Sequence, residues 1–432
     1  MPNISKNYKS LAWLTNGAGG RVLLWALAML LAALYLHAWC YALVNDDTGI
    51  YLATAERVAE GEVLYKSLYA GYTPLGIYSW ALLKKLCGQA TTYAHYLALN
   101  LLWLWLCALL CYLLGLRITA SRRAAVAAAL LVLALAYAYE GTYIVLEPFV
   151  LIFSLATLLL LHNSPARPAQ LYGAGLCMGL AFLSKQYGLL MWIPAGYVVM
   201  AGFEGTRGRL QALGRLLLGF ALPLGVLFGC YASCYHTGPQ ELLHAWGRYA
   251  TSYHFGERSW GKMLAALARF VGSSLPLLLL LPLYARQLSG RKHLLFHSLL
   301  LTFMAFGSSL FYRQYPHYFL LLIPPAVLMG LYLLKAGWQL ARLRPLLLTA
   351  VALTLLLAGL RPALGFLDME QQRKTRLRQQ QYALAARINE ELPPGSEVLL
   401  MTYYHQRLAY LCRFRPVDPI GTGYTFTDIL YP

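Results

Sequence analysis

Two adjacent aspartates, Asp46 and Asp47, stand directly after the first long apolar run of the chain, Arg21–Val44. A run of that length can cross a bilayer, so the pair lies at a predicted membrane boundary, where ionisable side chains are costly and mark function. One positioned carboxylate can accept a proton from an attacking hydroxyl group and accelerate its reaction by about 10²–10⁴-fold. Asp47 is the candidate general base, and Asp46 is the alternative.

The residues behind this pair support a second, purely structural interpretation. Ile50–Glu60 places apolar and charged residues at the spacing typical of a short amphipathic helix on a membrane surface. A carboxylate in the first turn of that helix can accept hydrogen bonds from free N–H groups and complement the helix dipole. The pair is therefore either a catalytic base or a helix cap.

Cationic side chains at the outer ends of other apolar runs are candidates for binding a phosphate. Arg313 is followed by His317 and Tyr318, and its guanidinium group can bind two phosphate oxygens at once. Lys185 interrupts a long apolar tract and is a second candidate. The alternative for Arg313 and Lys185 is that they extend toward lipid headgroups, as cationic side chains at membrane boundaries commonly do.

Glu147 precedes Pro148, a residue that suits the first turn of a helix. Its carboxylate either complements the helix dipole or orients an acceptor or a cation. No metal site is predicted, because the histidines and glutamates of His236–Lys262 match no zinc spacing and the eight cysteines include no C-x-x-C pair. A divalent cation stays open as a cofactor, and no other cofactor is indicated.

These polar residues depend on a scaffold that is mostly apolar. Apolar residues make up 59% of the chain and charged residues 12%, against about 25% charged in soluble domains. Apolar runs of about 20 residues recur, which predicts an all-α polytopic membrane protein with about eleven transmembrane helices. The predicted spans are Arg21–Val44, Tyr93–Leu116, Arg123–Tyr139, Pro148–Leu161, Ala169–Ser184, Tyr187–Gly202, Leu213–Tyr235, Met263–Tyr284, Leu294–Phe311, Pro316–Leu334 and Pro345–Leu360. Pro74–Cys87 is shorter and is predicted to be interfacial or re-entrant.

The charge distribution predicts the membrane orientation. The chain has 35 Lys and Arg against 17 Asp and Glu, a net charge of +18. The basic residues lie mainly in short loops and in the tail, so membrane lipids are the expected partners and nucleic acid is not. With the N-terminus inside, Glu204 is the only acid in the inner segments, which is the positive-inside pattern. This orientation places the Asp46–Asp47 loop, Glu140–Glu147, Arg313–His317 and the C-terminal tail outside.

The chain divides into two parts. Residues 1–361 form the predicted transmembrane domain, whose first outer loop, residues 45–92, carries the candidate base. Residues 362–432 form a small outer-face α/β segment, because Asp368–Glu391 has a helical pattern and Ser396–Tyr404 is typical of a buried strand.

Several stretches resemble one family. Asp47–Tyr51 (DTGIY) and Gly61–Tyr65 (GEVLY) are similar to the first outer loop of bacterial membrane glycosyltransferases of the C fold, the relatives of protein O-mannosyltransferases and of aminoarabinose transferases. In that loop Thr48 stands where the family usually has Glu. The further matches are Glu147-Pro148, Gly179–Gln186 (GLAFLSKQ) and Arg313–Phe319 (RQYPHYF) followed by Pro324-Pro325.

The resemblance implies a C-type glycosyltransferase fold and a polyprenyl-phosphate-linked sugar as donor. It implies transfer to a lipid, glycan or protein acceptor at the outer face of a bacterial cytoplasmic membrane. Asp47 would be the base, and Tyr51 and Tyr65 would join Glu147 as candidates for orienting the sugar, the acceptor or a cation. Direct displacement with a single base would invert the anomeric centre.

Two alternatives remain open at the level of the sequence. A transporter or flippase of lipid-linked sugars would be expected to place charges at mid-depth within its spans. A ligase or polymerase of surface polysaccharide would use chemically similar residues but a lipid-diphosphate donor.

Overall fold

The computed structural model describes residues 46–68, 72–162, 166–236, 238–252, 293–309, 316–338, 371–393, 396–398 and 415–416, together with residues 25, 28–29, 31–32, 35–36 and 412. These residues are mostly helical. The α-helices are α1 (Asp46–Ala59), α2 (Leu75–Cys87), α3 (Tyr93–Thr119), α4 (Arg122–Ala138), α5 (Glu147–Leu161), α6 (Pro168–Ser184), α7 (Trp192–Gly202), α8 (Gly205–Tyr235), α9 (Pro239–Ser252), α10 (Leu294–Ser309), α11 (Ile323–Trp338) and α12 (Gln371–Glu391). The 3-10 segments are Gly88–Ala90, Gln186–Met191 and Pro316–Leu321.

The predicted first outer loop contains two α-helices, α1 and α2, that pack against the helical core. In α1 the side chains of Tyr51, Leu52 and Ala55 are buried, which follows the one-sided apolar spacing of the sequence. Tyr51 stacks on Trp80 of α2, with ring centroids 5.7 Å apart. The α2 stretch, predicted to be interfacial or re-entrant, is thus a helix with one buried face.

An ion pair fixes these two helices to each other. The Nζ atom of Lys84 in α2 lies 3.4 Å from Oε1 of Glu56 in α1. The hydroxyl group of Tyr96, in α3, donates a hydrogen bond to the same oxygen at 3.3 Å. We call Glu56, Lys84 and Tyr96 the loop ion-pair cluster. It fixes α1 in place by contacts to two other helices.

Close helix packing in the core depends on glycine. A Cβ atom at Gly175 of α6 would lie 2.1 Å from the carbonyl oxygen of Leu216 in α8, and one at Gly219 would lie 2.2 Å from that of Tyr172. Small residues at such contacts allow two helix backbones to approach each other, which is a common device between membrane helices. The helix α6 packs closely on α8 through these glycines and ends directly before Lys185.

Two of the described helices, α3 and α8, are long and apolar enough to cross a membrane by length and composition. Glu147–Leu161, Leu294–Ser308 and Ile323–Lys335 are apolar but shorter. The predicted spans starting at Tyr93, Arg123, Pro148 and Ala169 match the starts of α3 to α6 within one residue. Met263–Tyr284 and Pro345–Leu360 lie outside the described residues, as does most of Arg21–Val44, so the number of spans stays a prediction.

Three predicted spans begin differently in the structure. The helix α8 begins at Gly205, ahead of the predicted start at Leu213. The other two spans open with a 3-10 segment, Gln186–Met191 before α7 and Pro316–Leu321 before α11. In the tail, Glu397–Val398 pairs in parallel with Arg415–Pro416, and α12 covers most of the predicted helix. The rest of the predicted strand Ser396–Tyr404 lies outside the described residues.

Candidate active site

Asp47 lies in the first turn of α1, at the point where the outer loop meets the helical core. Its Oδ2 atom is 3.5 Å from Nε2 of His317, and its side chain is 35% exposed. The neighbouring Thr48 is buried and donates a hydrogen bond from its hydroxyl group to the carbonyl oxygen of Ile144 at 3.1 Å. This bond attaches the start of α1 to the segment before α5, so the carboxylate of Asp47 is held at a defined position.

His317 is the buried centre of the site. Its side chain is only 3% exposed, and its second ring nitrogen, Nδ1, lies 3.2 Å from Oε2 of Glu140. The imidazole ring thus lies between two carboxylates that come from distant parts of the chain, Asp47 from α1 and Glu140 from the turn after α4. Three segments that are far apart in the sequence meet at this side chain.

A second ion pair lies deeper in the same site. Nζ of Lys185 is 2.6 Å from Oε1 of Glu147, and the two side chains are 4% and 0% exposed. The ammonium group also donates to the hydroxyl group of Tyr318 at 3.4 Å and lies 4.4 Å from the centroid of that ring. The second carboxylate oxygen of Glu147 is buried without a hydrogen-bond partner among the described residues.

Both residues of this ion pair lie where a regular helix ends or begins. Lys185 has extended dihedral angles, φ −164° and ψ 146°, between the end of α6 and the following 3-10 segment. Glu147 is the first residue of α5 and is followed by a proline in the first turn. An acidic residue at a helix start interacts favourably with the helix dipole, and the orienting of an acceptor or a cation by Glu147 stays a prediction.

Negative charge dominates the electrostatics around His317. Burial lowers the pKa of this histidine, but the charge of Glu147, the hydrogen bond that His317 donates to Glu140 and the charge of Asp47 act in the opposite direction. Lys185 opposes them, yet the net result is a pKa above the ordinary value of 6.5. His317 lies in the 3-10 segment ahead of α11, outside the long apolar helices, and its protonated form is stabilised by the surrounding carboxylates.

Residues 22–203 match the family described as dolichyl-phosphate-mannose-protein mannosyltransferase. The structure of ArnT from Cupriavidus metallidurans bound to undecaprenyl phosphate has a similar fold, with a TM-score of 0.61 and 16% sequence identity over 94% of this chain and 87% of that one. The apo form of the same protein matches equally well. The chain has the C-type glycosyltransferase fold. The resemblance seen in the sequence is thereby confirmed.

The oligosaccharyltransferase of Archaeoglobus fulgidus, tethered to an acceptor peptide, shares the C-type fold more distantly. Its TM-score is 0.50 at 13% identity, over 95% of this chain and 65% of that one. No curated protein sequence matches the chain significantly. The family match covers Asp47, Glu140, Glu147 and Lys185, whereas His317 lies beyond its end.

The structure brings together most of the site residues predicted from the sequence. Asp47, His317, Lys185, Tyr318 and Glu147 belong to one connected group of contacts. Their chemical roles are not tested by these contacts and stay predictions. Lys185 is already paired with Glu147, so any bond from Lys185 to a phosphate would have to form beside that ion pair.

Four predicted residues lie apart from this group or outside the described side chains. Arg313 lies outside the described residues, and of Asp46 only the backbone is described. Tyr51 is buried against Tyr72 and Trp80. The hydroxyl group of Tyr65 donates to the carbonyl oxygen of Tyr72 at 2.5 Å. Both tyrosines therefore stabilise the first outer loop, and a role in binding sugar stays a prediction.

Sequence reasoning missed Glu140 as a site residue. The available signal was an acidic residue at the outer end of a predicted span, but its partner is 177 positions away in the chain. Among the described residues no group of three or more His, Cys, Asp or Glu side chains is arranged to hold a metal ion. The described side chains of the site are three carboxylates, one ammonium group, one imidazole and the hydroxyl group of Tyr318.

Proposed function

We propose that this chain transfers a sugar from a polyprenyl-phosphate donor to a hydroxyl group of a lipid, glycan or protein acceptor, with inversion at the anomeric carbon. The matching family is described by its use of dolichyl-phosphate-mannose. The structure of ArnT with the same fold was determined with undecaprenyl phosphate bound. Both support a donor whose sugar is attached to a lipid through one phosphate.

The observation that carries the proposal is the contact between Asp47 and His317. It joins the most exposed carboxylate of the site to a buried imidazole contributed by the other half of the chain. A helix cap would need no such partner. An accessible carboxylate beside a fixed positive charge is the arrangement that a general base at a membrane surface requires.

The reaction needs a base but no acid. The lipid phosphate leaves as a stable anion, so the bond between the anomeric carbon and the phosphate oxygen can break without protonation. As that bond breaks, the acceptor oxygen attacks the opposite face of an oxocarbenium-like centre, and Asp47 accepts the proton of the acceptor. A single displacement of this kind inverts the configuration of the anomeric carbon.

The donor phosphate requires cations. Arg313 is our candidate for the bidentate contact, because it belongs to the same short stretch of sequence as His317 and Tyr318. Protonated His317 would add positive charge to the phosphate-binding site. Lys185 would act on the phosphate indirectly, through its contacts with Tyr318 and Glu147. In this arrangement the acceptor enters beside Asp47 and Glu147 orients it through its unpaired oxygen.

The membrane assignment follows the charge pattern of the loops. Basic inner segments would place the N-terminus in the cytoplasm and Asp47, Glu140, Glu147 and the tail on the outer face of a bacterial cytoplasmic membrane. A donor delivered through the lipid phase also fits the absence of a phosphate-binding glycine loop from the sequence. Labelling of single cysteines from the outside would test this orientation.

The experiment uses the purified full-length protein in lipid nanodiscs with radiolabelled polyprenyl-phosphate sugars. We expect release of polyprenyl monophosphate and a labelled product of inverted configuration. Asp47→Asn should lower kcat by about 10²–10⁴-fold, because the amide cannot accept the proton. Glu241→Gln is the matched control, since Glu241 is exposed on α9 and lies outside the site.

Each other outcome contradicts a specific part of the proposal. Full turnover in the double variant Asp46→Asn and Asp47→Asn would remove the proposed base. Movement of intact lipid-linked sugar across the bilayer without bond cleavage would identify a flippase. Release of a lipid diphosphate would identify a polysaccharide ligase or polymerase.

A further inference from the structure

Glu140 contacts His317 at the centre of the site but takes no part in the proposed proton transfer. Building on the proposed function, we infer that Glu140 is a positioning residue: through His317, it holds a positive charge beside Asp47 and so keeps the base correctly oriented. The residue does not touch the reacting atoms. It acts on the base through one intervening ring.

The geometry around the ring of His317 supports this role. Both nitrogens of His317 face carboxylate oxygens, Nδ1 toward Glu140 at 3.2 Å and Nε2 toward Asp47 at 3.5 Å. An imidazolium ion donates from both nitrogens, whereas a neutral imidazole donates from only one. If neutral His317 donated to Glu140, its lone pair at Nε2 would face the negative charge of Asp47. The geometry therefore fits the protonated ring.

The backbone conformation of Glu140 also supports a functional role. Its φ angle is +60°, a left-handed conformation that is uncommon for residues other than glycine, asparagine and aspartate. The turn is fixed by bonds from the amide of Gly141 to the carbonyl oxygen of Ala136 at 2.8 Å and from the amide of Tyr143 to that of Glu140 at 3.0 Å. A strained conformation held by its surroundings is typical of functional sites.

The segment that follows is also fixed. Asn100 of α3 is fully buried and donates a hydrogen bond from its side chain to the carbonyl oxygen of Tyr143 at 2.7 Å. Thr48 bonds to the carbonyl oxygen of Ile144 in the same segment. The turn that carries Glu140 and the helix start that carries Asp47 are thus both attached to the segment Tyr143–Ile144, which positions the two carboxylates around His317.

Every charged group near the ring bears on its protonation. Glu140 and Asp47 contact it directly, Glu147 acts from α5, and Lys185 acts in the opposite direction from the end of α6. Lys185 is paired with Glu147, so the effect of each partly cancels that of the other. Glu140 is then the carboxylate that stabilises the imidazolium by a hydrogen bond without itself serving as the base.

The functional consequence is a limit on activity at high pH. When His317 loses its proton, Asp47 loses its cationic neighbour and is held less firmly in its orientation. Removing the charge of Glu140 lowers the pKa of His317, so the loss of activity should begin at lower pH. A residue that only supported the fold would instead reduce activity to the same extent at every pH.

The test compares the pH dependence of kcat in two pairs of nearly isosteric variants of the purified full-length protein. Wild type is compared with Glu140→Gln, and Glu140→Asp is compared with Glu140→Asn. The second pair suits the left-handed backbone, because Asp and Asn adopt it readily, so it remains informative where Glu140→Gln folds poorly. Glu241→Gln, on an exposed surface, controls for loss of one outer carboxylate.

We expect the amide member of each pair to lose about tenfold more activity at pH 8 than at pH 6, relative to its carboxylate partner, since a hydrogen bond to a charged group is worth about that factor. Losses that are equal at both pH values, or no loss in either pair, would overturn the role of Glu140. A wild-type protein without turnover would contradict the proposed function itself. If Asp47→Asn loses activity but the pH profiles of both pairs are unaltered, only the inference about Glu140 is contradicted.

Discussion

The loop ion-pair cluster and the active-site cluster use the same kinds of residues in different proportions. In the loop cluster one carboxylate, Glu56, contacts one ammonium group, Lys84, and one tyrosine hydroxyl, that of Tyr96. In the active-site cluster three carboxylates surround one lysine and one histidine. The first is balanced within itself, and the second has an excess of negative charge and a buried carboxylate oxygen without a described partner.

This difference indicates what each cluster does. A balanced pair at the contact of α1 with α2 is sufficient to fix the outer loop. An excess of carboxylates around a titratable ring costs stability, since like charges raise the free energy of the folded state. Such a cost is expected where the charged groups serve a function. We therefore expect substitutions in the loop cluster to affect mainly stability, and substitutions in the active-site cluster to affect activity as well.

The largest effect is expected for Lys185→Met. Removing the ammonium group leaves the fully buried carboxylate of Glu147 uncompensated, which costs about 3–5 kcal/mol in other proteins. We expect a strongly lowered thermal unfolding temperature in detergent and loss of sugar transfer. The double variant Lys185→Met with Glu147→Gln should recover most of the stability, because no unpaired charge remains, but not the activity. Recovery of both would mean that this pair is structural only.

An intermediate effect is expected for Lys84→Met. Its partner Glu56 and Lys84 are 17% and 11% exposed, so the cost should lie between those of surface and buried pairs, at about 1–2 kcal/mol. Thermal unfolding should show this loss, while kcat stays within about threefold of wild type. Lys85→Met is the control, since Lys85 is the exposed neighbour on the same helix. A larger loss of activity than of stability would place the loop cluster in the reaction.

The smallest effect is expected from pH. His317 has a raised pKa in the folded protein, so its stabilisation is complete below its unfolded value of about 6.5 and is lost as the pH rises through the folded value. The unfolding temperature should therefore decline as the pH is raised above neutrality. His317→Gln should remove this decline, and His244→Gln, at an exposed position on α9, should leave it unchanged. An equal decline in His317→Gln would assign the effect to other groups.

The local sequence pattern was sufficient to predict many of the helix starts. The starts of α3 to α6 follow from apolar runs bounded by Arg122, Pro148 and Pro168, because hydrophobic length and helix-start chemistry act over a few neighbouring residues. The 3-10 segments before α7 and α11 were not predicted. They depend on how the chain packs after Lys185 and around His317, which the apolar content of those stretches does not encode.

The sequence by itself determined a mostly helical fold, and it predicts a membrane protein with acidic side chains at one set of span ends and basic ones at the other. It also indicated Asp47, Glu147, Lys185 and His317 as candidates, because charged groups at membrane boundaries are costly enough to stand out. Only the tertiary structure decided the partners: Lys185 with Glu147, and His317 between Asp47 and Glu140. Such contacts join residues far apart along the chain, and their existence depends on the packing of whole helices rather than on any local pattern.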